Sequence, residues 1–245
     1  MQIDDGIFLA ASGNLGVSLT HPLDCNAYAL RCGDEYVLID SGVGVEIHRI
    51  IEVLKSDCIP LDRVRHLILT HYHLDHSGGA AHLREALGLD VWAGPETAAA
   101  LIAGDEEAIS LAAAKRAGVY PADLNFNACP VTHVFQPGVP FEIGGTKILP
   151  LAAPGHSRDM ICFLIQQPHR TMLFPGDTLF HGGRISLQDT YDCDVPAYCE
   201  SIRMLAELDF EMMFPGHGLW SLAGARRHTR DAMSFIDRLL PPPSL

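Results

Sequence analysis

Basic residues are scarce in this chain. Its 245 residues include 17 Lys and Arg against 30 Asp and Glu, which leaves a formal net charge of -13 at pH 7. Nucleic acids and anionic membrane surfaces are recognised through clustered positive charge. We therefore expect neither nucleic acid nor a membrane as a partner, and we attribute the acidic composition to solubility.

Long apolar runs and paired cysteines are also missing. No segment approaches the roughly 18 apolar residues of a membrane span, and the first residues have neither the basic segment nor the apolar stretch of a secretory leader. The seven cysteines are an odd number and include no Cys-x-x-Cys pair. That pattern favours reduced, mostly buried thiols over a disulfide framework, and we expect a cytoplasmic protein.

What the chain does contain is typical of an ordered globular protein. Hydrophobic residues make up 48% and charged residues 19% of the sequence, a balance that disordered chains lack. The length allows one large domain or two small ones, with enough residues to bury a sizeable core. Apolar runs of strand length alternate with helical segments in two strand-rich halves, which indicates two sheets with helices outside them. The spacing predicts a first strand at Ile7–Leu9, a helix at Ala80–Leu87, a strand at Asp90–Ala93 and a closing helix at Ala223–Leu239.

The most informative stretch is Thr70–Gly79, with the sequence Thr-His-Tyr-His-Leu-Asp-His-Ser-Gly-Gly. The apolar run before it predicts a buried strand, and the Ala-rich segment after it predicts a helix. Ligands and catalytic groups collect at the carboxyl ends of strands in layered α/β folds. Imidazole and carboxylate groups are suitable ligands for zinc, iron and manganese, so the stretch indicates a metal site. The competing interpretation is a solvated His-rich turn. Four candidate ligands fall within six residues: His71, His73, Asp75 and His76.

Three later strand ends repeat one pattern. His156, Asp177 and His217 each follow a predicted strand, and Pro-Gly immediately precedes each of them. A sharp turn at a strand end allows a side chain to project into a cleft, and Gly permits the unusual backbone angles of such a turn. Taken alone, a histidine after Pro-Gly is more often a turn residue than a ligand, and the competing role for Asp177 is that of a helix or turn cap.

The His-x-His-x-Asp-His motif after an apolar strand resembles the signature of the metallo-β-lactamase-fold hydrolases. The resemblance implies an α/β fold, a four-layer αββα sandwich of two mixed β-sheets flanked by helices. It also implies a single domain over residues 1–245. We expect a helical insertion at about residues 95–118, broken near Gly104, either as a lid over the active site or as a cover for the sheet.

The resemblance further implies two divalent metal ions, zinc first, with iron or manganese as alternatives. Two such cations share a hydroxide that attacks the substrate carbonyl, so that no Ser or Cys nucleophile is needed. Asp75 is also expected to orient that hydroxide or to handle a proton in the leaving step. The implied ligands are His71, His73 and His156 for the first metal, Asp75, His76 and His217 for the second, and Asp177 as the bridge.

Further candidates lie outside the motif. His181 is a candidate catalytic or substrate-facing group, with a loop histidine as the alternative. Arg184 is a candidate for binding a substrate carboxylate or amide, with a surface ion pair as the alternative, and His21 is a candidate substrate contact from the first loop. Thr70 and Asp40 are expected to accept hydrogen bonds from imidazole N–H groups.

Within the resembled superfamily, the segment that follows Asp177 is most similar to the glyoxalase II-like branch, whose substrates are glutathione thioesters. The residues after His217 include no counterpart of the basic C-terminal helical region of that branch, so we do not expect glutathione to be recognised. It also has Phe180 where homoserine-lactone lactonases tend to place Tyr, and Asp75-His76 departs from the commonest β-lactamases. We therefore predict a dinuclear hydrolase of a small ester-type acyl substrate, a thioester or lactone, with a homodimer as one possible assembly. The alternative is a non-haem iron oxidoreductase of the same fold, similar to the persulfide dioxygenases.

Overall fold

Two β-sheets form from two different stretches of the sequence. The computed structural model describes residues 1–245, which divide into two units, Met1–Phe135 and Gln136–Leu245. Each unit contains one mixed sheet and its own helices, in agreement with the expected α/β class. The single domain over residues 1–245 stays a prediction.

The sheet of the first unit has seven strands in sequence order. The first four strands run antiparallel to their neighbours, and parallel pairing begins where the fourth meets the fifth. The turn at Gly33, with φ 61°, joins two antiparallel strands, whereas a helical crossover precedes the first parallel pair. The strands are β1 (Gln2–Asp4), β2 (Ile7–Ala11), β3 (Ala27–Cys32), β4 (Glu35–Ile39), β5 (Val64–Ile68), β6 (Asp90–Ala93) and β7 (His133–Val134).

Five helices accompany this sheet. Ile50 and Leu54 from the first helix and Leu83 from the third are buried in one cluster with strand residues such as Leu38 and Leu67. Full burial of such a side chain contributes roughly 1.5–3 kcal/mol, so the apolar stripe of each helix determines which face it turns inward. The helices are α1 (Ile47–Ser56), α2 (Leu74–Ser77), α3 (Ala80–Leu87), α4 (Pro95–Ala103) and α5 (Leu111–Arg116).

The predicted insertion consists of α4 and α5 and the loops around them. Gly104 ends α4 in the left-handed region, with φ 63°, which is the break expected from the sequence. Leu101, Leu111 and Phe126 are buried in the same cluster as the strands of the first unit. The insertion is therefore packed on the core of its own unit.

The second unit contains a five-stranded sheet in the order β12-β11-β10-β9-β8. All its neighbouring strands are antiparallel except β11 and β12, which are parallel. Asp194 caps the first helix of this unit by accepting a hydrogen bond from the Ala197 N–H at 2.9 Å. The elements are β8 (Phe141–Ile143), β9 (Thr146–Ala152), β10 (Ile161–Gln167), β11 (Arg170–Gly176), β12 (Met212–Pro215), α6 (Val195–Ala206) and α7 (Arg226–Ile236).

Strand β1 and helix α7 are among the elements that differ from the sequence prediction. Strand β1 was not predicted, because two of its three residues are polar and only pairing with β2 identifies it. Helix α7 was predicted to begin at Ala223, but Gly224 has φ 60° and the helix begins at Arg226. None of the seven helices combines the length and apolar character that crossing a membrane requires.

Candidate metal centre

The His71–His76 motif lies where β5 ends and α2 begins. The strand ends at Ile68, and α2 begins at Leu74. His71 and His76 are fully buried, and His73 is nearly so. His71 Nε2 lies 3.2 Å from His73 Nδ1, and His76 Nε2 lies 3.6 Å from Asp75 Oδ2. Ligands of a tetrahedral zinc ion lie about 3.4 Å from one another, so both spacings suit ligands that share a cation.

A single carboxylate orients two of these imidazoles. Asp40 follows β4 in the left-handed region, with φ 63°, and its Oδ2 accepts a hydrogen bond from His76 Nδ1 at 2.8 Å. The same carboxylate accepts a bond from the Thr70 hydroxyl at 2.8 Å, and that hydroxyl lies 3.0 Å from His71 Nδ1. Because the hydroxyl proton is directed to Asp40, the Thr70 oxygen accepts the His71 N–H. Both histidines thereby present Nε2 as the candidate metal-binding nitrogen, and Thr70 and Asp40 make the hydrogen bonds expected of them.

Cys25 is a further potential donor beside this turn. It forms a buried group with Asp40 and His76, but Asp40 already engages His76 Nδ1. Burial raises the pKa of the Cys25 thiol to about 12. Burial therefore favours the neutral form of this thiol.

The candidate ligands of the second unit come from three separate strand ends. His156 follows β9, Asp177 follows β11 and His217 follows β12, and all three are buried. Asp177 Oδ2 lies 3.6 Å from His156 Nε2 and 3.2 Å from His217 Nε2. One carboxylate oxygen thus faces two imidazoles, the arrangement that a bridging ligand requires.

Glycine is required at the turn before His156. Gly155 has φ 144°, and a Cβ built there would lie 2.4 Å from the Cα of Tyr198. That separation is shorter than any real Cβ contact, so no other residue fits without moving α6. The Pro-Gly pattern therefore reflects close approach of two backbones as well as an unusual dihedral angle.

Tyr198 connects the surroundings of His156 with those of Asp177. His156 Nδ1 donates to the Ser186 carbonyl at 2.9 Å, and the Ser186 N–H donates to the Tyr198 hydroxyl at 3.1 Å. That hydroxyl in turn donates to the Asp177 backbone carbonyl. Burial raises the pKa of Tyr198 well above its ordinary value of 10.0, so the phenol stays protonated and can donate. His156 therefore also presents Nε2.

A family model described as the metallo-beta-lactamase superfamily matches residues 21–217. The match covers more than half of the chain and contains every candidate ligand. The chain belongs to this superfamily. Its membership confirms the resemblance drawn from the His-x-His-x-Asp-His motif, whereas the glyoxalase II-like branch stays a prediction.

Curated relatives in the metallo-β-lactamase superfamily include several proteins named as thioesterases. The atrochrysone carboxyl ACP thioesterase of Aspergillus fumigatus is 28% identical over 79% of this chain and 50% of its own length. An acyl-coenzyme A thioesterase of Bos taurus is 29% identical over 87% of this chain and 79% of its own length. The chain spans about half the length of the fungal relatives that it matches.

Solved structures of metallo-β-lactamases share the fold. A metallo-β-lactamase with a HARLDQ motif from Cronobacter sakazakii has a TM-score of 0.69 and 20% identity, over 97% of this chain and 86% of its own. The subclass B3 enzyme BJP-1 of Bradyrhizobium japonicum has a TM-score of 0.67 and 20% identity, over 89% and 76%. These similarities confirm the expected fold class.

The donor set in each unit fits the divalent metal that the superfamily implies. The first unit offers three buried imidazoles and the partly buried Asp75, and the second offers two imidazoles and the buried Asp177. Nitrogen and carboxylate oxygen are donors that zinc, iron and manganese accept. Buried imidazoles with one nitrogen hydrogen-bonded to a carboxylate, hydroxyl or carbonyl are typical of metal sites.

Tyr120 is a neighbour of Asp75 that the sequence analysis missed. Its hydroxyl donates to Asp75 Oδ1 at 3.0 Å, across 45 positions of sequence. Tyr120 follows α5 in an Ala-rich insertion without a recognisable motif, so no local signal could have identified it. Ser186 and Tyr198 were missed for the same reason.

The other predicted candidates have partners of their own. His181 is exposed on a 3-10 turn, with its ring centroid 4.5 Å from that of His228. Arg184 is also exposed, and its Nη1 donates to the Ser244 carbonyl at 2.8 Å. His21 is partly exposed in the loop before β3, where its Nδ1 accepts from the Leu23 N–H at 3.3 Å.

Proposed function

We propose that this protein is a dinuclear metal-dependent thioesterase. The observation that carries the proposal is the set of oriented donors, because three imidazoles present Nε2 through hydrogen bonds made by their Nδ1 atoms. Such orientation is expected where a cation is bound and is unnecessary in a solvated turn.

The proposed ligand assignment follows the superfamily pattern. A bound metal pair would supply an activated water molecule and polarise the carbonyl under attack. The protein side chains would hold the cations, and Asp40 and Thr70 would keep the imidazoles in the required tautomers. His71, His73 and His156 are assigned to the first metal, Asp75, His76 and His217 to the second, and Asp177 to both.

A thioester is the proposed substrate class. Support comes from the relatives named as thioesterases, which act on acyl-carrier-protein and coenzyme A derivatives according to their names. A thiolate is a good leaving group, so the reaction makes little demand for a strong general acid. Lactones remain the second ester-type class to be compared.

The remaining role assignments are also proposals. Asp75 and His181 are the proposed catalytic side chains, and His21 and Arg184 are the proposed substrate contacts. For His181 the support is its exposed position four residues after Asp177. Arg184 would have to exchange its hydrogen bond with Ser244 for a substrate carboxylate.

Zinc, the cytoplasm and a homodimer complete the proposal. Zinc is supported by the mixture of imidazole and carboxylate donors. Seven free cysteines, four of them buried, support a reducing compartment. The exposed apolar side chains of Ile102 and Val119 on the insertion support self-association.

The proposal is tested by assaying hydrolysis on protein of known metal content. We expect two metal ions per chain and faster hydrolysis of acyl-coenzyme A thioesters than of lactones, lactams, aryl esters or phosphodiesters. His73→Ala should reduce kcat/KM by on the order of 10³-fold, since metal polarisation contributes several kcal/mol to the barrier. His48→Ala, on the exposed face of α1, is the matched control and should retain full activity.

Four results would overturn the proposal in whole or in part. Absence of bound transition metal would remove the chemistry, and full activity of His73→Ala would show that the ligands are not used. One iron per chain with oxygen uptake on a persulfide would favour the oxidoreductase alternative. A preference for lactones over thioesters would retain the hydrolase and reject the substrate class.

A further inference from the structure

The two carboxylate oxygens of Asp75 have different neighbours. Oδ1 accepts a hydrogen bond from the Tyr120 hydroxyl at 3.0 Å, whereas Oδ2 lies 3.6 Å from His76 Nε2. A carboxylate that rotates freely would exchange these positions. The phenol therefore distinguishes one oxygen from the other and directs Oδ2 towards the imidazole nitrogen.

The chain around Tyr120 is arranged to hold that hydroxyl in place. Its ring packs against the core cluster of the first unit. Pro121 follows directly and restricts Tyr120 to extended backbone angles, while Gly118 turns the chain after α5 with φ 75°. These features restrict the backbone before and after Tyr120 and so help to fix the position of its side chain.

Glu106 secures the same segment from the other end of the loop. Its Oε2 accepts from Lys115 Nζ at 2.7 Å, and its Oε1 accepts from the Phe126 N–H at 3.1 Å. The Lys115 ammonium lowers the pKa of Glu106. One carboxylate thus joins the loop before α5, α5 itself and the chain that follows Tyr120.

We propose that Tyr120 is a positioning residue for the second metal. Its hydroxyl holds Oδ1 of Asp75 so that Oδ2, beside His76 Nε2, is the oxygen that binds the cation. The inference rests on the proposed function, because it takes Asp75 and His76 as ligands of one metal. It gives the insertion a role at the metal site in addition to its packing on the sheet.

The test is Tyr120→Phe, which removes the hydroxyl and retains the ring that packs on the core. Metal-free protein is titrated with Zn²⁺ against a chromophoric chelator and, separately, with Co²⁺ while the visible absorption is recorded. Loss of a hydrogen-bond partner of a metal ligand weakens metal binding by roughly 10–100-fold. We expect that loss in the second binding step alone, together with an altered spectrum for the second Co²⁺ equivalent.

Tyr36→Phe is the matched control, since Tyr36 is a partly buried tyrosine of the same unit that packs edge-on against Phe8. It should leave both binding steps and both spectra unchanged. Equal second-step affinity and equal Co²⁺ spectra in Tyr120→Phe and wild-type protein would overturn the inference. Weakening of both steps by the same factor would also overturn it, because that result indicates general loosening of the unit.

The two proposals fail in different ways. Wild-type protein that binds two metals without hydrolysing thioesters would refute the proposed substrate and leave the titration of Tyr120→Phe as the test of positioning. Wild-type protein with fewer than two metal sites would refute both proposals. Thermal unfolding of each variant shows whether a change in affinity accompanies a loss of structure.

Discussion

The two units present their candidate ligands in different ways. In the first unit four candidate ligands follow one strand within six residues, and the side chains of Asp40 and Thr70 orient two of the histidines. In the second unit three candidate ligands come from three strand ends, and His156 is oriented by a backbone carbonyl. The Tyr198 hydroxyl accepts a hydrogen bond from the N–H of Ser186, whose carbonyl orients His156, and donates one to the backbone carbonyl of Asp177.

This difference shows that a ligand set can be built from local sequence or from tertiary contacts. A motif of six residues tolerates displacement of its whole turn, because its members move together. Ligands from separate strands depend on how closely the backbones of those strands and their helices approach. We therefore expect substitutions that disturb backbone packing to have their larger effect in the second unit. In the first unit we expect the larger effect from loss of the Asp40 carboxylate.

Gly155→Ala should give the largest effect on stability and should show how strongly the second unit depends on packing. A Cβ 2.4 Å from the Tyr198 Cα, at φ 144°, cannot be accommodated without displacing α6. We expect the free energy of unfolding to fall by about 3–5 kcal/mol, from overpacking and backbone strain combined. Urea denaturation followed by circular dichroism measures the change.

Gly224→Ala provides the comparison within the same unit. Gly224 also has a positive φ, of 60°, but a Cβ there meets no atom within 4 Å. Only the backbone strain of an alanine at positive φ remains, which lowers the free energy of unfolding by about 1 kcal/mol. Equal losses for the two variants would mean that close approach of the backbones contributes nothing at Gly155.

Asp40→Asn should break the orientation of the ligands in the first unit. An asparagine has one acceptor oxygen in place of the carboxylate that now accepts from Thr70 and from His76 Nδ1. We expect metal affinity to fall by roughly 10–100-fold, measured by titration with Zn²⁺. Asp34→Asn, in the exposed turn between β3 and β4, is the control, and an unchanged affinity in Asp40→Asn would contradict the tautomer argument.

The smallest effect concerns the pH dependence of the second unit. His228 Nδ1 accepts from the Gly182 N–H at 2.9 Å, and its Nε2 lies 2.7 Å from the Ser221 hydroxyl. Burial lowers the pKa of His228 from 6.5 to about 4. Between pH 6.5 and pH 4, therefore, this histidine is protonated in the unfolded chain and neutral in the folded chain. The stability contribution is complete above pH 6.5 and is lost as the pH falls towards 4.

His228→Gln should flatten the pH dependence of the unfolding midpoint between pH 6.5 and 4. His133→Gln is the control, since His133 is exposed and stacks on Trp92. A pH profile of His228→Gln identical to that of the wild-type protein would show that this histidine is not the titrating group.

Most of the fold could be predicted from the sequence. Strand β6 and helix α3 match their predicted bounds, Asp90–Ala93 and Ala80–Leu87, because apolar spacing and the following Gly or Pro mark them locally. Strand β1 and the start of α7 could not be predicted. The first depends on pairing with β2 and the second on a backbone angle at Gly224, and neither is visible in residue spacing.

The candidate site divides in the same way. The motif and the three Pro-Gly turns predicted seven candidate ligands and the superfamily, because metal coordination and sharp turns restrict residue type at each position. The orienting carboxylate Asp40 was expected for the same reason. Tyr120 and Tyr198 could not be predicted, since a tyrosine acts here through the position of its hydroxyl and many positions tolerate a tyrosine.

By itself the sequence determined the superfamily, the α/β class and the set of candidate metal ligands, because these depend on donor chemistry and local backbone demands. The tertiary structure decided which nitrogen each oriented imidazole presents, which oxygen of Asp75 meets Tyr120 and why residue 155 must be glycine. Hydrogen bonds and close contacts between distant segments depend on distances of a few tenths of an ångström. Such distances arise only when the whole chain has packed.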